Sequence, residues 1–245
     1  MIPSDLRDEL GYARSLDVDK LASDIGKIGF ECNNCGACCT QQDEVDEAGW
    51  ADNAVVVYPF EIRRIMGVAG LSWLEVAAPP ASCEVDDKGR VHTFEWHLRQ
   101  KCIGGPRGVK GSEGQTCRFL NQKRCTIYEY RPFLCRTYPF YMSDRRLCVG
   151  PCEGVGVSIS KTKCLELAHV IKERYIEDLN QMILLLDRFE PYVPRGDGDE
   201  GGNSKSNNKS DSYRCQDGTS KGSGKPIEYI VHDSEGAHQI SIQQE

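Results

Sequence analysis

The sequence predicts an α+β fold that is mainly helical, with long irregular loops and a C-terminal β-hairpin. Over residues 161–189 the apolar residues recur every three or four positions, as they do on one face of a helix. Residues 226–243 hold two short runs of alternating apolar and polar residues, which is the pattern of strands. Twelve of the 13 cysteines lie between Cys32 and Cys164. Reduced thiols in this number indicate that the loops are organised around a cysteine-ligated metal core.

Local start and stop signals predict four further helices. A serine can accept hydrogen bonds from the first free amides of a helix, and proline suits the first helical position. A serine followed three residues later by glutamate forms a capping box. The predicted helices are one capped by Ser4, one over residues 17–28, one from Pro59 to Met66 that stops at Gly67, and a short one opened by Ser72 and Glu75.

The long helix over residues 161–189 carries an apolar stripe along one face. A stripe of this spacing is far more often a packing face than a binding groove, so we expect it to lie in the core. Its members are Leu167, Ile171, Tyr175, Leu179, Met182, Leu186 and Phe189.

The composition divides the chain into three parts. Residues 1–194 hold the predicted metal-binding domain, and residues 195–225 read as a flexible linker because they hold almost no large apolar side chains. Residues 226–245 form the predicted hairpin or partner-docking tail. An isolated hairpin is marginally stable in water. We therefore expect the tail to dock on the domain, to dock on a partner or to stay disordered.

Charge and hydropathy exclude several classes of function. With 37 acidic against 30 basic residues the net charge is −7, which argues against a nucleic-acid-binding protein. No apolar run approaches the roughly 20 residues of a membrane-spanning helix. The acidic N-terminus does not resemble an export signal, so we expect a cytoplasmic protein without membrane insertion. The odd cysteine count disfavours a disulfide scaffold.

The first cysteine motif is Cys32-Asn-Asn-Cys35-Gly-Ala-Cys38-Cys39. Three thiols spaced by three residues in a glycine-containing loop are typical of iron–sulfur loops whose fourth ligand comes from elsewhere. Zinc sites more often take two thiols from one short run, so this loop favours an iron–sulfur cluster. Neighbouring residues point in different directions, and we therefore expect Cys39 to face a second metal centre.

A second group of cysteines follows in the segment CRFL, the segment CTIYEYRPFLCRTYP and a later Cys-Val-Gly. With the first motif it supplies eight thiols, enough for two tetrahedral sets. We expect the first three thiols of the loop to share one centre with one thiol of this group, and Cys39 to join the other three. Arg131 and Arg136 would offset the negative charge of a thiolate cluster, although ordinary surface ion pairs explain them equally well. The members of this second group are Cys117, Cys125, Cys135 and Cys148.

Over residues 30–156 these motifs resemble the CxxCxxCC cysteine-cluster family, described as zinc- or iron-chelating proteins. That family includes relatives of the flagellin lysine N-methylase. After Cys148 this chain has Cys152, where the family tends toward a Pro-Gly stretch, so the two compete for the place of last ligand. The resemblance implies as ligands Cys32, Cys35, Cys38, Cys39, Cys117, Cys125, Cys135 and Cys148.

Together these features predict an iron–sulfur cluster-binding protein with one or two centres, of the [4Fe–4S] type. We expect it to act in redox sensing or as an accessory subunit of a larger protein partner, reached through the C-terminal tail. The resemblance implies one alternative, an iron–sulfur-dependent enzyme like a protein lysine N-methyltransferase. The other alternative is a structural zinc protein. Catalysis has no direct support, because the radical-SAM spacing fails at Val155 and the P-loop spacing fails throughout.

Overall fold

The computed structural model describes residues 4–40, 55–79, 84–85, 90–93, 95–103, 114–188, 227–233 and 236–242. Helices and short strands are mixed along these ranges, which agrees with the predicted α+β class. Residues 195–225, predicted as a linker, lie outside the described residues, and so do Cys83 and Cys215. Among the described residues, no helix combines the length and the apolar character that a membrane crossing needs.

The helices carry most of the packing surface of the fold. They are α1 (Ser4–Ser15), α2 (Val18–Ile28), α3 (Pro59–Ala69), α4 (Trp73–Val76), α5 (Phe133–Thr137) and α6 (Lys161–Arg188). Two 3₁₀ turns cover Ala37–Cys39 and Tyr128–Tyr130.

The strands are short. They are β1 (Ala77–Ala78), β2 (Glu84–Val85), β3 (Val91–Thr93), β4 (His97–Leu98), β5 (Gln100–Ile103), β6 (Gly114–Cys117), β7 (Leu120–Asn121), β8 (Arg124–Cys125), β9 (Phe140–Ser143), β10 (Arg146–Val149), β11 (Ile227–Asp233) and β12 (Gly236–Ile242). Most pair as two-stranded antiparallel ladders: β1 with β4, β5 with β6, β7 with β8, and β9 with β10. A four-stranded sheet has the order β12-β11-β3-β2, in which β11 runs parallel to β3.

Helix α2 begins and ends where its sequence predicts. The carboxylate of Asp17 accepts hydrogen bonds from the amides of Asp19 and Lys20, at 2.9 and 3.1 Å, and so caps the helix. At the other end Gly29 has a φ of 74°, and its amide donates to the carbonyl of Ile25. A residue with a side chain would be strained there. This glycine therefore turns the chain out of the helix and into the cysteine loop.

The predicted stop of α3 at Gly67 is wrong. The helix continues to Ala69 and ends at Gly70, which has a φ of 64° and whose amide donates to the carbonyl of Met66 at 3.0 Å. A glycine inside a helix costs about 1 kcal/mol relative to alanine but does not forbid the helix. A glycine in the left-handed conformation satisfies the last carbonyl groups, and this makes Gly70 the stop.

The capping box of α4 is confirmed, since the amide of Ser72 donates to the carboxylate of Glu75 at 2.9 Å. The same carboxylate accepts from the Ser72 hydroxyl, also at 2.9 Å. The two hydrogen bonds hold the first turn of a helix that is only four residues long.

Helix α6 packs on α2 around an apolar cluster, here called the helical core. Ile171 and Ile25 are completely buried in it, and Phe140 of β9 belongs to it. In a second, smaller cluster Tyr175 and Leu179 of α6 pack with Ala13 of α1. The predicted stripe is buried only in its first part, since Met182 and Leu186 are 47% and 40% exposed. Phe189 lies outside the described residues.

A second core, here called the mixed core, lies around α3, α4 and the short strands. Trp73 and Trp96 meet edge to face in it, with ring centroids 5.3 Å apart. Strand β11 contributes Tyr229 and Val231 to the same core. Of the three fates that the sequence allows for the C-terminal residues, the structure shows docking on the domain. Near the same contact the Nδ1 of His92 lies 3.0 Å from the Nε2 of His232.

Candidate metal centre

The cysteine loop begins where two backbone segments, residues 29–31 and 154–156, are joined by hydrogen bonds. This pair of segments is here called the strap. The amide of Glu31 donates to the carbonyl of Gly154 at 3.0 Å, and the amide of Gly156 donates to the carbonyl of Gly29 at 3.1 Å. A Cβ atom at position 154 would lie 2.1 Å from the Glu31 carbonyl oxygen. Only glycine fits there. The strap therefore fixes where the first cysteine motif leaves α2.

The second half of the motif folds as a 3₁₀ turn that begins after Gly36, whose φ is 80°. The hydroxyl of Thr116 on β6 donates to the carbonyl of Cys39 at 2.9 Å. Residues Thr40 and Thr116 also form an isolated β-bridge. These contacts bring the end of the first motif beside Cys117, which ends β6.

Within this turn, the sulfur atoms of Cys38 and Cys39 lie only 3.9 Å apart. Rotation about χ1 can bring two sulfur atoms together even where the Cα–Cβ bonds point apart. The expectation that Cys39 faces a second metal centre stays a prediction. The hydrogen bond between the two sulfur atoms lowers the pKa of the Cys38 thiol and raises that of Cys39. A lowered pKa within the pair favours the thiolate, which is the form that binds metal.

Three further thiols interact electrostatically with this pair. Cys117 and Cys125 end strands β6 and β8 and pack against the mixed core, while Cys135 lies in α5. Burial raises the pKa of Cys117 to about 11 and also raises that of Cys135. The charges of neighbouring thiols add to both effects. The thiols that act on one another in this way, here called the five-thiol group, are Cys38, Cys39, Cys117, Cys125 and Cys135.

Arg131 lies beside the five-thiol group, as the sequence suggested. Its Nε donates to the carbonyl of Tyr128 at 2.9 Å, and its guanidinium stands 3.6 Å from the centroid of the Tyr128 ring. Its positive charge favours the thiolate form of Cys38 and, for Cys125 and Cys135, offsets part of the rise in pKa that burial causes. Arg136, by contrast, lies over the ring of Phe133 at 5.6 Å.

Glu61 is a positioning residue that the sequence reasoning missed. Its side chain is 1% exposed, and it accepts hydrogen bonds from the amides of Phe133, at 2.7 Å, and Tyr58, at 3.0 Å. The amide of Phe133 is in the first turn of α5, so this bond fixes the helix that carries Cys135. Burial raises the pKa of Glu61. The sequence signal that could have identified Glu61 is its place three residues after the N-cap of α3, which is the glutamate position of a capping box.

The remaining predicted thiols lie around the strap and β10. Cys32 is exposed, and Cys35 and Cys152 are half-buried. Cys148 lies on β10 with its sulfur 3.9 Å from the carbonyl oxygen of Arg146. The assignment of these four as ligands stays a prediction.

Two other cysteines lie in regular elements outside these groups. Cys164, 5% exposed, is buried in the helical core near the start of α6. Cys102 lies on β5.

The chemistry of the donor set fits a soft metal. Thiolates select zinc, copper(I) and iron–sulfur clusters. Within the part of the chain that the structure describes, no three Cys, His, Asp or Glu side chains converge closely enough to hold a metal ion. Metal binding and folding are coupled in thiolate sites, so the grouped cysteines are candidate ligands and not a finished coordination sphere.

Comparison with known proteins agrees with this chemistry. The model of the CxxCxxCC family, whose description is "putative zinc- or iron-chelating domain", matches residues 31–164, more than half of the chain. The match begins at the strap, spans the five-thiol group and ends at Cys164. No curated protein and no solved structure matches the chain. On this match and on the thiols that the fold brings together, the chain belongs to the CxxCxxCC family.

Proposed function

We propose that this chain is an iron–sulfur cluster-binding protein whose cluster is held by the five-thiol group. The observation that supports the proposal is that the Cys39 carbonyl accepts a hydrogen bond from Thr116, the neighbour of Cys117, and that the charges of thiols in three separate segments act on one another. Ligands from the first motif, the β-ladders and α5 would tie those segments together. The thiols that we assign to this centre are Cys39, Cys117, Cys125 and Cys135.

The number of thiols and the nearby cation support iron–sulfur over zinc. A single zinc ion takes four ligands, whereas the five-thiol group holds five thiols, and five further described cysteines lie within the matched family segment. A tetrathiolate cluster is anionic, and hydrogen bonds and nearby positive charge set its stability and potential. Arg131 supplies such a charge.

One observation favours a zinc site as the second candidate. Four thiolates at about 2.3 Å from one tetrahedral zinc ion lie about 3.8 Å from one another. The sulfur atoms of Cys38 and Cys39 lie 3.9 Å apart, which is close to that edge. In a cubane cluster each thiolate binds a different iron atom, so ligand sulfurs are spread more widely.

We further propose that the cluster makes the protein responsive to oxidants and that a larger protein partner senses its state. Loss of a cluster would free β6, β8 and α5 from their common ligand, and metal-dependent loops change shape when the metal leaves. Arg131 donates to the carbonyl of Cys135 and Glu61 accepts from the amide of Phe133, so both hold α5 without metal. The change is therefore expected to be confined to the cysteine loops.

Metal analysis under anaerobic conditions tests the proposal. Protein purified without oxygen should contain iron and acid-labile sulfide and absorb at about 400 nm. Cys135→Ser should lose the cluster, whereas Cys215→Ser, which changes a cysteine outside the matched segment, should keep it. A colourless wild-type protein with stoichiometric zinc would establish the second candidate. Wild-type protein without either metal would refute both.

A further inference from the structure

We propose that a second metal centre forms at the strap, with Cys152 and not Cys148 as its last ligand. The inference rests on the proposed function, because it requires a chain that binds metal. The four ligands are Cys32, Cys35, Cys38 and Cys152.

The strap places Cys152 beside the start of the first motif. The amide of Glu31 donates to the carbonyl of Gly154 at 3.0 Å, and Phe30 and Val155 form an isolated β-bridge. Cys32 follows Glu31 directly, and Cys152 precedes Gly154 by two residues. The amide of Val155 donates to the carbonyl of Cys152 at 3.2 Å, which closes a turn. Cys32 and Cys152 therefore lie next to the same pair of hydrogen-bonded backbone segments.

Side-chain contacts fold the rest of the motif onto the same turn. The Nδ2 of Asn33 donates to the carboxylate of Glu153 at 3.2 Å. The Oδ1 of Asn33 accepts from the amide of Cys35, also at 3.2 Å. One asparagine thus links the residue after Cys152 to Cys35. Metal ligands need such support, because neighbouring hydrogen bonds set the position of the ligand atoms.

Tyr138 joins the turn that precedes Cys152 to the end of α5. Its hydroxyl donates to the carbonyl of Pro151, the residue before Cys152. Tyr138 itself directly follows the last residue of α5. Cys38 belongs to the same short motif as Cys32 and Cys35, and we therefore assign it to this centre as the fourth ligand.

Cys148 points elsewhere. It pairs with Tyr141 across the β9–β10 ladder, between Leu147 and Val149. Those two neighbours pack against the helical core. Since side chains alternate along a strand, Cys148 faces the opposite side, where its sulfur lies 3.9 Å from the Arg146 carbonyl.

This assignment divides eight thiols into two sets of four. Cys38 goes to the strap centre, and Cys39 goes to the centre with Cys117, Cys125 and Cys135. The two centres are then neighbours, since the sulfur atoms of Cys38 and Cys39 lie 3.9 Å apart. Each centre has the four thiolates that zinc or an iron–sulfur cluster requires.

The test is metal content per chain in matched serine variants. We expect Cys152→Ser to lose about half of the metal bound by the anaerobically purified wild-type protein, and Cys148→Ser to keep all of it. The comparison between two cysteines four residues apart controls for a general loss of thiols. Cys152→Ala should behave like Cys152→Ser, and circular dichroism would show that α2 and α6 still form in each variant.

The outcomes separate the two proposals. Metal lost from Cys148→Ser and kept by Cys152→Ser would overturn the inference and leave the proposed function intact. So would a wild-type protein that binds metal at one centre only, or a Cys152 variant that loses all of its metal. Wild-type protein without metal would overturn the proposed function itself.

Discussion

The helical core and the cysteine loops are held together in different ways. In the helical core, apolar side chains on α2 and α6 pack against each other and are buried. The cysteine loops are held by single hydrogen bonds and by strand ladders of two to four residues. Ile25 and Ile171 are completely buried. Burying one such side chain contributes about 1.5–3 kcal/mol. In the cysteine loops most thiols are half-buried, and Cys32 and Cys38 are exposed. Isolated two-stranded ladders are marginal in water, so we expect a bound metal to add to the stability of this region.

This difference between the helical core and the cysteine loops indicates that stability and metal binding depend on different parts of the chain. The helical core can persist without metal because its apolar contacts do not involve the five-thiol group. The strap is the point where the two regions meet: Phe30 packs edge-on against Phe140, with ring centroids 5.9 Å apart, and Cys32 follows two residues later. Substitutions in the helical core should therefore change mainly the free energy of unfolding, whereas substitutions in the cysteine loops should change mainly the metal content.

The largest loss of stability should come from Ile171→Ala. Removing a fully buried isoleucine leaves a cavity, and we expect the free energy of unfolding to fall by about 2–5 kcal/mol. Metal content per folded chain should be unchanged. Urea denaturation measures the first effect and elemental analysis the second. The matched control is Met182→Ala on the same helix, whose exposed side chain predicts a change within about 0.5 kcal/mol. Equal losses in the two variants would contradict the burial of this face.

A smaller loss of stability, but a larger loss of metal, should follow from Gly154→Ala. The new Cβ would meet the Glu31 carbonyl oxygen at 2.1 Å, so the strap must move, at about 1–3 kcal/mol. Since the strap places Cys32 and Cys152, the second centre should be lost. The control is Gly67→Ala inside α3, where a Cβ meets nothing within 4 Å; it should raise stability by up to about 1 kcal/mol. Full metal content in Gly154→Ala would break the proposed link between strap and centre.

The smallest effect is a change in the pH dependence of stability on Glu61→Gln. Burial raises the folded-state pKa of Glu61 above its usual value of 4.5, so the folded state binds the proton more tightly. Its contribution is full below pH 4.5 and is lost as the pH rises through the folded pKa. The variant should therefore lose less stability than the wild type as the pH rises from 4.5. Buried Asp178, whose pKa is also raised, remains in both proteins and keeps a residual slope.

Urea denaturation at a series of pH values measures this slope. Glu75→Gln is the control, because capping Ser72 lowers the pKa of Glu75. Its contribution is present above pH 4.5 and is lost on acidification, the opposite direction. Identical profiles for wild type and Glu61→Gln would show that the Glu61 carboxyl does not titrate with folding.

Local patterns in the chain predict the elements that depend on neighbouring residues. Asp17 and Gly29 bound α2, and Ser72 with Glu75 opens α4, because caps act within one turn. The apolar spacing of α6 predicts its length and its buried face as far as Leu179. The spacing of the cysteines predicts the family, since each short motif is read without knowledge of the fold.

Features that depend on distant residues were not predictable in this way. Helix α3 continues through Gly67 because Gly70, three residues later, adopts the left-handed conformation that ends the helix. The exposure of Met182 and Leu186, in contrast to the burial of Tyr175 and Leu179 against α1, depends on which part of α6 the rest of the chain covers. The role of Glu61 depends on Phe133, which lies 72 residues away in the chain.

By itself the sequence determined the kind of atom that this protein offers to a ligand, namely many thiols in four short segments, and the helices that support them. Only the tertiary structure decided which of these segments lie together. It joined the Cys39 carbonyl to Thr116, the neighbour of Cys117, and joined the backbone after α2 to residues 154–156 through the strap. The physical reason is that a cap or a motif acts over a few residues, whereas a hydrogen bond between loops can join any two parts of a chain that packing has already brought together.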